Sequence, residues 1–215
     1  MIEEFQNMWQ HKGHPRGQHI LSPCGNLAVV CIPKNSSSYW RTWLEQKNWT
    51  VQHNPIMEKN VHVLCCLRDP VNRWVAGISE YLYTYWDNDE DTIKCKATLK
   101  LIQDRVVFDD HSEIQNYFYS VFPNNSINFF KHDDTQSVWN AITKWTGTSP
   151  PSEDYLHNPI NFTEDPVNNR RKMWKEWVLD NVDLDKVKYY YESYDHQTYW
   201  LLKQIDEQES NKITI

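Results

Sequence analysis

Two apolar, strand-like runs of this chain each end in a cation. In AVVCIPKNSSSYW, residues 28–40, the run gives way to Lys34, Asn35 and three serines, Ser36, Ser37 and Ser38. In VHVLCCLRDPVNRW, residues 61–74, Arg68 stands where the run stops and Asp69-Pro70 begins. A strand that feeds a helix leaves the first helical N–H groups unpaired and facing the loop, where they can hold phosphate or sulfate oxygens. The serines add hydroxyl donors and Lys34 a mobile full charge. Ligands of open α/β sheets sit beyond the carboxyl ends of the strands, so Lys34 and Arg68 are expected at one crevice, on a ligand with two anionic groups. The nucleoside-triphosphate loop G-x-x-x-x-G-K-[ST] fits poorly, because here the lysine comes first and the loop has no glycine.

The elements that must position these cations follow from hydrophobic spacing. Short apolar segments at Leu27 to Pro33, Val61 to Leu67 and Ile127 to Lys131 predict strands buried on both faces. Each is followed by a helical pattern. Trp40, Trp43 and Leu44 follow the first, and Val71, Trp74, Val75, Ile78, Leu82 and Tyr85 the second. Val138, Ile142 and Trp145 follow the third, behind a cap at Asp133 or Asp134 and before a stop at Gly147. Strand then helix, three times over, predicts a single α/β domain over residues 21–210, with a P-loop-like central parallel sheet and helices on both faces. Residues 1–20 are expected to be loosely held, 91–122 to be a mostly helical insertion, and 169–181 and 184–205 to be terminal helices.

Composition narrows the function. The chain has 215 residues and a formal charge of -7, against a general nucleic-acid or anionic-membrane binder, so any anion must be held by a local pocket. The N-terminal sequence does not read as a secretory signal, and the longest apolar run is too short for a bilayer, so a cytoplasmic location is expected. Five cysteines, an odd number without a disulfide spacing, fit reduced thiols in that compartment. Eleven tryptophans and twelve tyrosines are mostly core material, though an aromatic-walled cleft suits a sugar or a nucleobase. No metal-ligand spacing occurs; His11 and His14, in the N-terminal segment, would bind a metal weakly.

PKNSSS and LRDPVNRW together resemble the two nucleotide-binding signatures of the PAPS-dependent sulfotransferases, most closely the carbohydrate enzymes of the chondroitin and heparan 2-O type. FDDHSEIQ, INFFKHDD and, more loosely, LHNPINFT are similar to three further segments of that group, in the same order, so the likeness spans about residues 27–205. The resemblance implies that Lys34, Asn35, Ser36, Ser37 and Ser38 grip the 5′-phosphosulfate of PAPS and that Arg68 grips its 3′-phosphate. It implies sulfuryl transfer to an acceptor hydroxyl, with PAP as product and no metal required. Where the family has a 3′-phosphate serine this chain has Ala76, and Ser79, one helical turn on, is the candidate replacement.

The acceptor hydroxyl needs a general base, for which histidine suits neutral pH. His53 lies in the interval from which the heparan 2-O enzymes draw theirs. His111 belongs to the DDHSEIQ element, with Asp109 or Asp110 to orient its ring and Gln115 one turn away; Glu80 is a lesser candidate. The expected partner is a carbohydrate or another small hydroxyl compound, with no nucleic acid and no membrane. Two alternatives stay open: a nucleoside-triphosphate-dependent kinase with Asp69 on magnesium, and a non-catalytic PAP- or glycan-binding protein of the same fold.

Overall fold

The computed structural model describes residues 16–54, 60–86, 102, 105–107, 110–122, 126–151 and 166–212. In chain order the strands are β1 (His19–Leu21), β2 (Leu27–Val30), β3 (Thr50–Gln52), β4 (His62–Leu67) and β5 (Ile127–Lys131). The helices among the described residues are α1 (Ser37–Glu45), α2 (Pro70–Trp86), α3 (Gln115–Tyr119), α4 (Thr135–Thr146), α5 (Pro166–Asn181), α6 (Leu184–Tyr194) and α7 (His196–Lys212). His11, His14, Asp109 and the LHNPINFT segment lie outside the described residues, as do residues 91–101 of the expected insertion.

The chain forms two compact units. One, the sheet unit, comprises His14–Asp69, Gln115–Ile160 and Gln197–Ile215. Its five strands run in the order β3-β1-β2-β4-β5. The expectation of a parallel sheet is corrected here: β2, β4 and β5 are parallel neighbours, but β1 pairs antiparallel with both β2 and β3, so the sheet is mixed. The three-residue runs HIL and TVQ are too short to show a periodicity, which is why the sequence hides them. The β1–β2 hairpin had left a signal in SPCGN, where Gly25 takes a φ of 70° and Ser22 N–H bonds the Leu27 carbonyl at 2.8 Å.

Alternation along the strands sends side chains to two apolar layers. On one face Leu27, Val29, Cys31, Leu64 and Cys66 pack with Tyr39, Trp40 and Leu44 of α1 and with Val138, Trp139 and Ile142 of α4. On the other, Val30, Ile32, Val63, Cys65 and Leu67 meet Phe118 and Tyr119 of α3 and Leu201 and Leu202 of α7. Trp40 and Trp139 are fully buried, and each indole removes on the order of 200 Å² from water, about 5 kcal/mol of hydrophobic stabilisation. Cys24, Cys31, Cys65 and Cys66 are free thiols, and burial pushes those of Cys31 and Cys66 up to about 12, so both stay protonated packing groups at neutral pH.

The second unit is helical, built from Pro70–Ile114 and Asn161–His196 together with Met1–Gly13. Within it α2 packs on α5 and α6, and its stripe of Trp74, Val75, Ile78 and Leu82 is buried. Arg73, fully buried, donates to the carbonyls of Asp110 (2.7 Å) and Glu113 (2.5 Å), fixing the turn at residues 110–113. That turn lies so close to α2 that a Cβ added at Gly77 would meet the His111 carbonyl oxygen at 2.8 Å. The terminal helix expected over 184–205 is two helices, broken at Asp195, whose N–H caps the Tyr191 carbonyl at 2.7 Å. No described helix is long and apolar enough to cross a membrane.

Candidate anion-binding site

The loop from β2 to α1 adopts the left-handed backbone that glycine usually supplies, without a glycine. Lys34 has φ 65° and Ser36 φ 63°, and each such residue costs about 1–2 kcal/mol. Burial of Trp40 one turn later outweighs that cost, so α1 holds its position while the loop stays strained. Asn35, 2% exposed, does the holding. Its N–H bonds the Ile32 carbonyl at 3.1 Å, and its Nδ2 donates to the Cys66 carbonyl (2.8 Å) and to Gln115 Oε1 (2.5 Å). With its backbone N–H and its amide hydrogens directed inward, Asn35 moves from expected ligand to scaffold. Ser36 is similarly engaged, its hydroxyl donating to the His132 carbonyl at 2.9 Å.

The donors left to face an anion are those of the first turn of α1. Ser36 is the N-cap but makes no side-chain cap, and no acidic residue occurs in the first turn. The N–H groups of Ser37, Ser38 and Tyr39 have no acceptor within an α-helix. Ser37 is half-buried and Ser38 exposed, so both hydroxyls lie at the helix start beside half-buried Lys34.

Arg68, directly after β4, is tied to the same loop by its Nη1, which donates to the Lys34 carbonyl at 3.1 Å. Gln115, completely buried, accepts from Arg68 N–H (3.0 Å) and donates to the Arg68 carbonyl (2.7 Å), continuing the strand's pairing with a side chain. Arg68 Nε is a buried donor with no hydrogen-bond partner among the described residues. Burial presses the guanidinium towards its neutral form, against the opposing pull of Asp69 and Asp133. Lys131, at the end of β5, is the contrasting case: Asp206 and Glu209 of α7 bind its ammonium at 2.5 and 2.7 Å and raise its pKa.

His132 follows β5 as Arg68 follows β4. Its N–H bonds the Leu67 carbonyl at 2.8 Å, and burial first, then the Arg68 charge, lowers the imidazole pKa, with Asp133 opposing. The sequence reading overlooked this histidine, although the rule that located Lys34 and Arg68, looking beyond the carboxyl ends of parallel strands, applies equally to the third strand.

The remaining candidates are placed as follows. His53, exposed after edge strand β3, accepts at Nδ1 from Gln18 Nε2 (3.0 Å), while Arg41 Nη2 donates to Gln18 Oε1 (3.2 Å). Arginine only donates, so it fixes the Gln18 amide and makes His53 Nδ1 an acceptor; the neutral ring then carries its proton on Nε2 and offers a donor there. In the helical unit, His111 Nδ1 lies 3.1 Å from the Asp110 carboxylate, the orienting partner expected for its ring. Ser79 lies in the third turn of α2, which begins at Pro70; it is buried and donates to the Val75 carbonyl at 2.6 Å, so its hydrogen is spent inside the helix. Glu80 pairs with Arg171 at 2.7 Å, and that guanidinium also lies 5.1 Å from the Tyr83 ring centre, which engages part of the Arg170-Arg171-Lys172 cluster in packing.

The sheet unit thus defines an α/β protein with a mixed sheet and two cationic residues, Lys34 and Arg68, beyond the ends of β2 and β4. Compared with family models, with curated proteins and with solved structures, the chain finds no match in any of the three.

Proposed function

We propose that the chain transfers a sulfuryl group from PAPS to a hydroxyl of a carbohydrate acceptor. The observation that carries this reading is the state of Arg68: a half-buried cation, tied to the Lys34 carbonyl, with a buried Nε donor lacking a partner. Lys131 has two carboxylates within 2.7 Å, whereas among the described residues Arg68 has Asp69 and Asp133 acting on it only as nearby charges. A phosphate group supplies what Arg68 lacks, and the start of α1 with Lys34 suits a second anion.

In this reading the acceptor oxygen forms a bond to sulfur as the bond from sulfur to the 5′-phosphate oxygen breaks. Lys34 and the N–H groups of α1 stabilise the charge gathering on that phosphate oxygen. The acceptor proton passes to a base, for which His53 and His111 are the candidates read from the sequence.

Calorimetry with PAP, and separately with ATP and Mg²⁺, tests the ligand. PAP binding without magnesium is expected; ATP binding that requires magnesium, with no response to PAP, overturns the proposal in favour of a kinase. Transfer of labelled sulfate from PAPS to a panel of glycans, lost in Lys34→Ala, is expected of the enzyme. PAP binding without transfer to any acceptor identifies a binding protein instead.

A further inference from the structure

We propose that His132 is the proton-linked member of the anion site, taking up a proton when an anion binds beside Arg68 and so presenting a second cation to it. This rests on the anion-site reading above, though not on sulfuryl transfer. The placement is set by three contacts of the residue's surroundings. Ser36 Oγ donates to the His132 carbonyl (2.9 Å), which joins the residue to the loop at the start of α1. His132 N–H donates to the Leu67 carbonyl (2.8 Å), which joins it to the strand end that carries Arg68. Arg68 Nη1 donates to the Lys34 carbonyl (3.1 Å), closing the set.

The charged groups that bear on the ring are Arg68, from the end of β4, and Asp133, in its own turn, with the Asp133 carboxylate 3.7 Å from Nδ1. The loop contributes the Ser36 hydroxyl, which is neutral and engages the His132 carbonyl, and the charge of Lys34, whose carbonyl Arg68 holds. Without an anion, burial and the arginine hold the ring neutral, and a neutral ring avoids a second unpaired cation next to the first. An anion at Arg68 reverses the balance, since it offsets the arginine's repulsion and attracts the proton itself. Uptake by His132 then strengthens binding, and affinity rises as pH falls.

Inorganic sulfate is the probe of choice, because it stays fully ionised through the neutral range and any proton taken up belongs to the protein. Titration of the full chain in two buffers of different ionisation enthalpy should show fractional proton uptake near pH 7. Sulfate affinity should increase about three- to tenfold between pH 8 and pH 5.5, the range that a pKa rise of one unit produces. His132→Gln should remove both the uptake and most of the slope. His132→Arg, permanently charged, should bind sulfate with a flat pH profile and more tightly than the unsubstituted chain at pH 8. In the unsubstituted protein, the imidazole resonance missing from the His132→Gln spectrum should titrate at higher pH with sulfate than without. Sulfate binding with no proton uptake, or with uptake unchanged in His132→Gln, overturns the inference while leaving the anion site standing. Failure of both sulfate and PAP to bind at any pH overturns the anion site and the inference together.

Discussion

Lys34 and Arg68 occupy comparable places, beyond the ends of neighbouring parallel strands, yet the backbone around each is fixed by a different device. The Lys34 loop is bent through two left-handed residues and is held against its own strain by Asn35 and Ser36. The Arg68 backbone stays strand-like, because a side chain, Gln115, takes both of its polar groups as another strand would. The first arrangement leaves the N–H groups of the first helical turn without helical acceptors, at a cost in conformational energy; the second presents one guanidinium at almost no backbone cost but depends on a single buried amide.

The largest effect expected from disturbing this contrast is at Gln115. Gln115→Ala leaves the Arg68 N–H, the Arg68 carbonyl and an Asn35 Nδ2 hydrogen without their partner, and should cost about 3–5 kcal/mol in chemical denaturation, since each buried unsatisfied group costs about 1–3 kcal/mol. A loss below 1 kcal/mol would remove Gln115 as the common support of both cations. Next is Arg68→Met, which should weaken PAP binding about 100-fold in calorimetry, the loss of two charge-assisted hydrogen bonds. The same substitution should leave the ligand-free protein as stable or up to about 1 kcal/mol more stable, because it deletes a half-buried cation without a contact carboxylate. Destabilisation by several kcal/mol would mean that Arg68 is structural.

In the helical unit, Gly77→Ala tests how tightly the His111 turn is held. Alanine in a helix ordinarily gains about 1 kcal/mol over glycine, but here the new methyl meets backbone at 2.8 Å, so a net loss of about 1–3 kcal/mol is expected in thermal unfolding. At Ser36, Ser36→Gly should be more stable than Ser36→Ala by about 1 kcal/mol, since both lose the bond to the His132 carbonyl and only glycine relieves the left-handed φ. Equal stabilities would mean that the loop is unstrained.

The smallest effect is in pH dependence. Buried His19 and half-buried His132 have folded-state pKa values below the ordinary 6.5, burial being the leading cause in each. The unfolded chain therefore binds more protons, and stability should fall as pH drops from about 6.5 towards the folded values, by at most about 1.4 kcal/mol per pH unit for each histidine. Denaturation midpoints between pH 7 and 5 check this, and the slope should shrink in His19→Gln.

The three parallel strands and the helices after them could be read from the chain because their apolar spacing is long enough to carry a period. Ile127–Lys131 falls where expected, whereas β2 stops at Val30, three residues short of Pro33, as the backbone turns into the strained loop. Strands β1 and β3 escaped because three residues hold no periodicity, and with them the mixed character of the sheet. The two cations were legible as residue types at strand ends. What sequence spacing could not reveal was which polar hydrogens would be consumed internally: Asn35, Ser36 and Ser79 look like ligands as letters and become supports once their partners are known. Gln115 showed the reverse, since a glutamine distant in sequence gives no sign that it will stand in for a strand.

The supports of the loop also bear on how the protein assembles. The bonds from Asn35 to Cys66, from Arg68 to Gln115, from Asn35 to Gln115 and from Ser36 to His132 span 31, 47, 80 and 96 residues of chain. No local segment can form this set of bonds in advance, so it should take shape after the strands have already met, late in folding. A ligand that recognises only the finished crevice would then leave the folding rate nearly unchanged and act by retarding unfolding, lengthening the lifetime of each folded molecule.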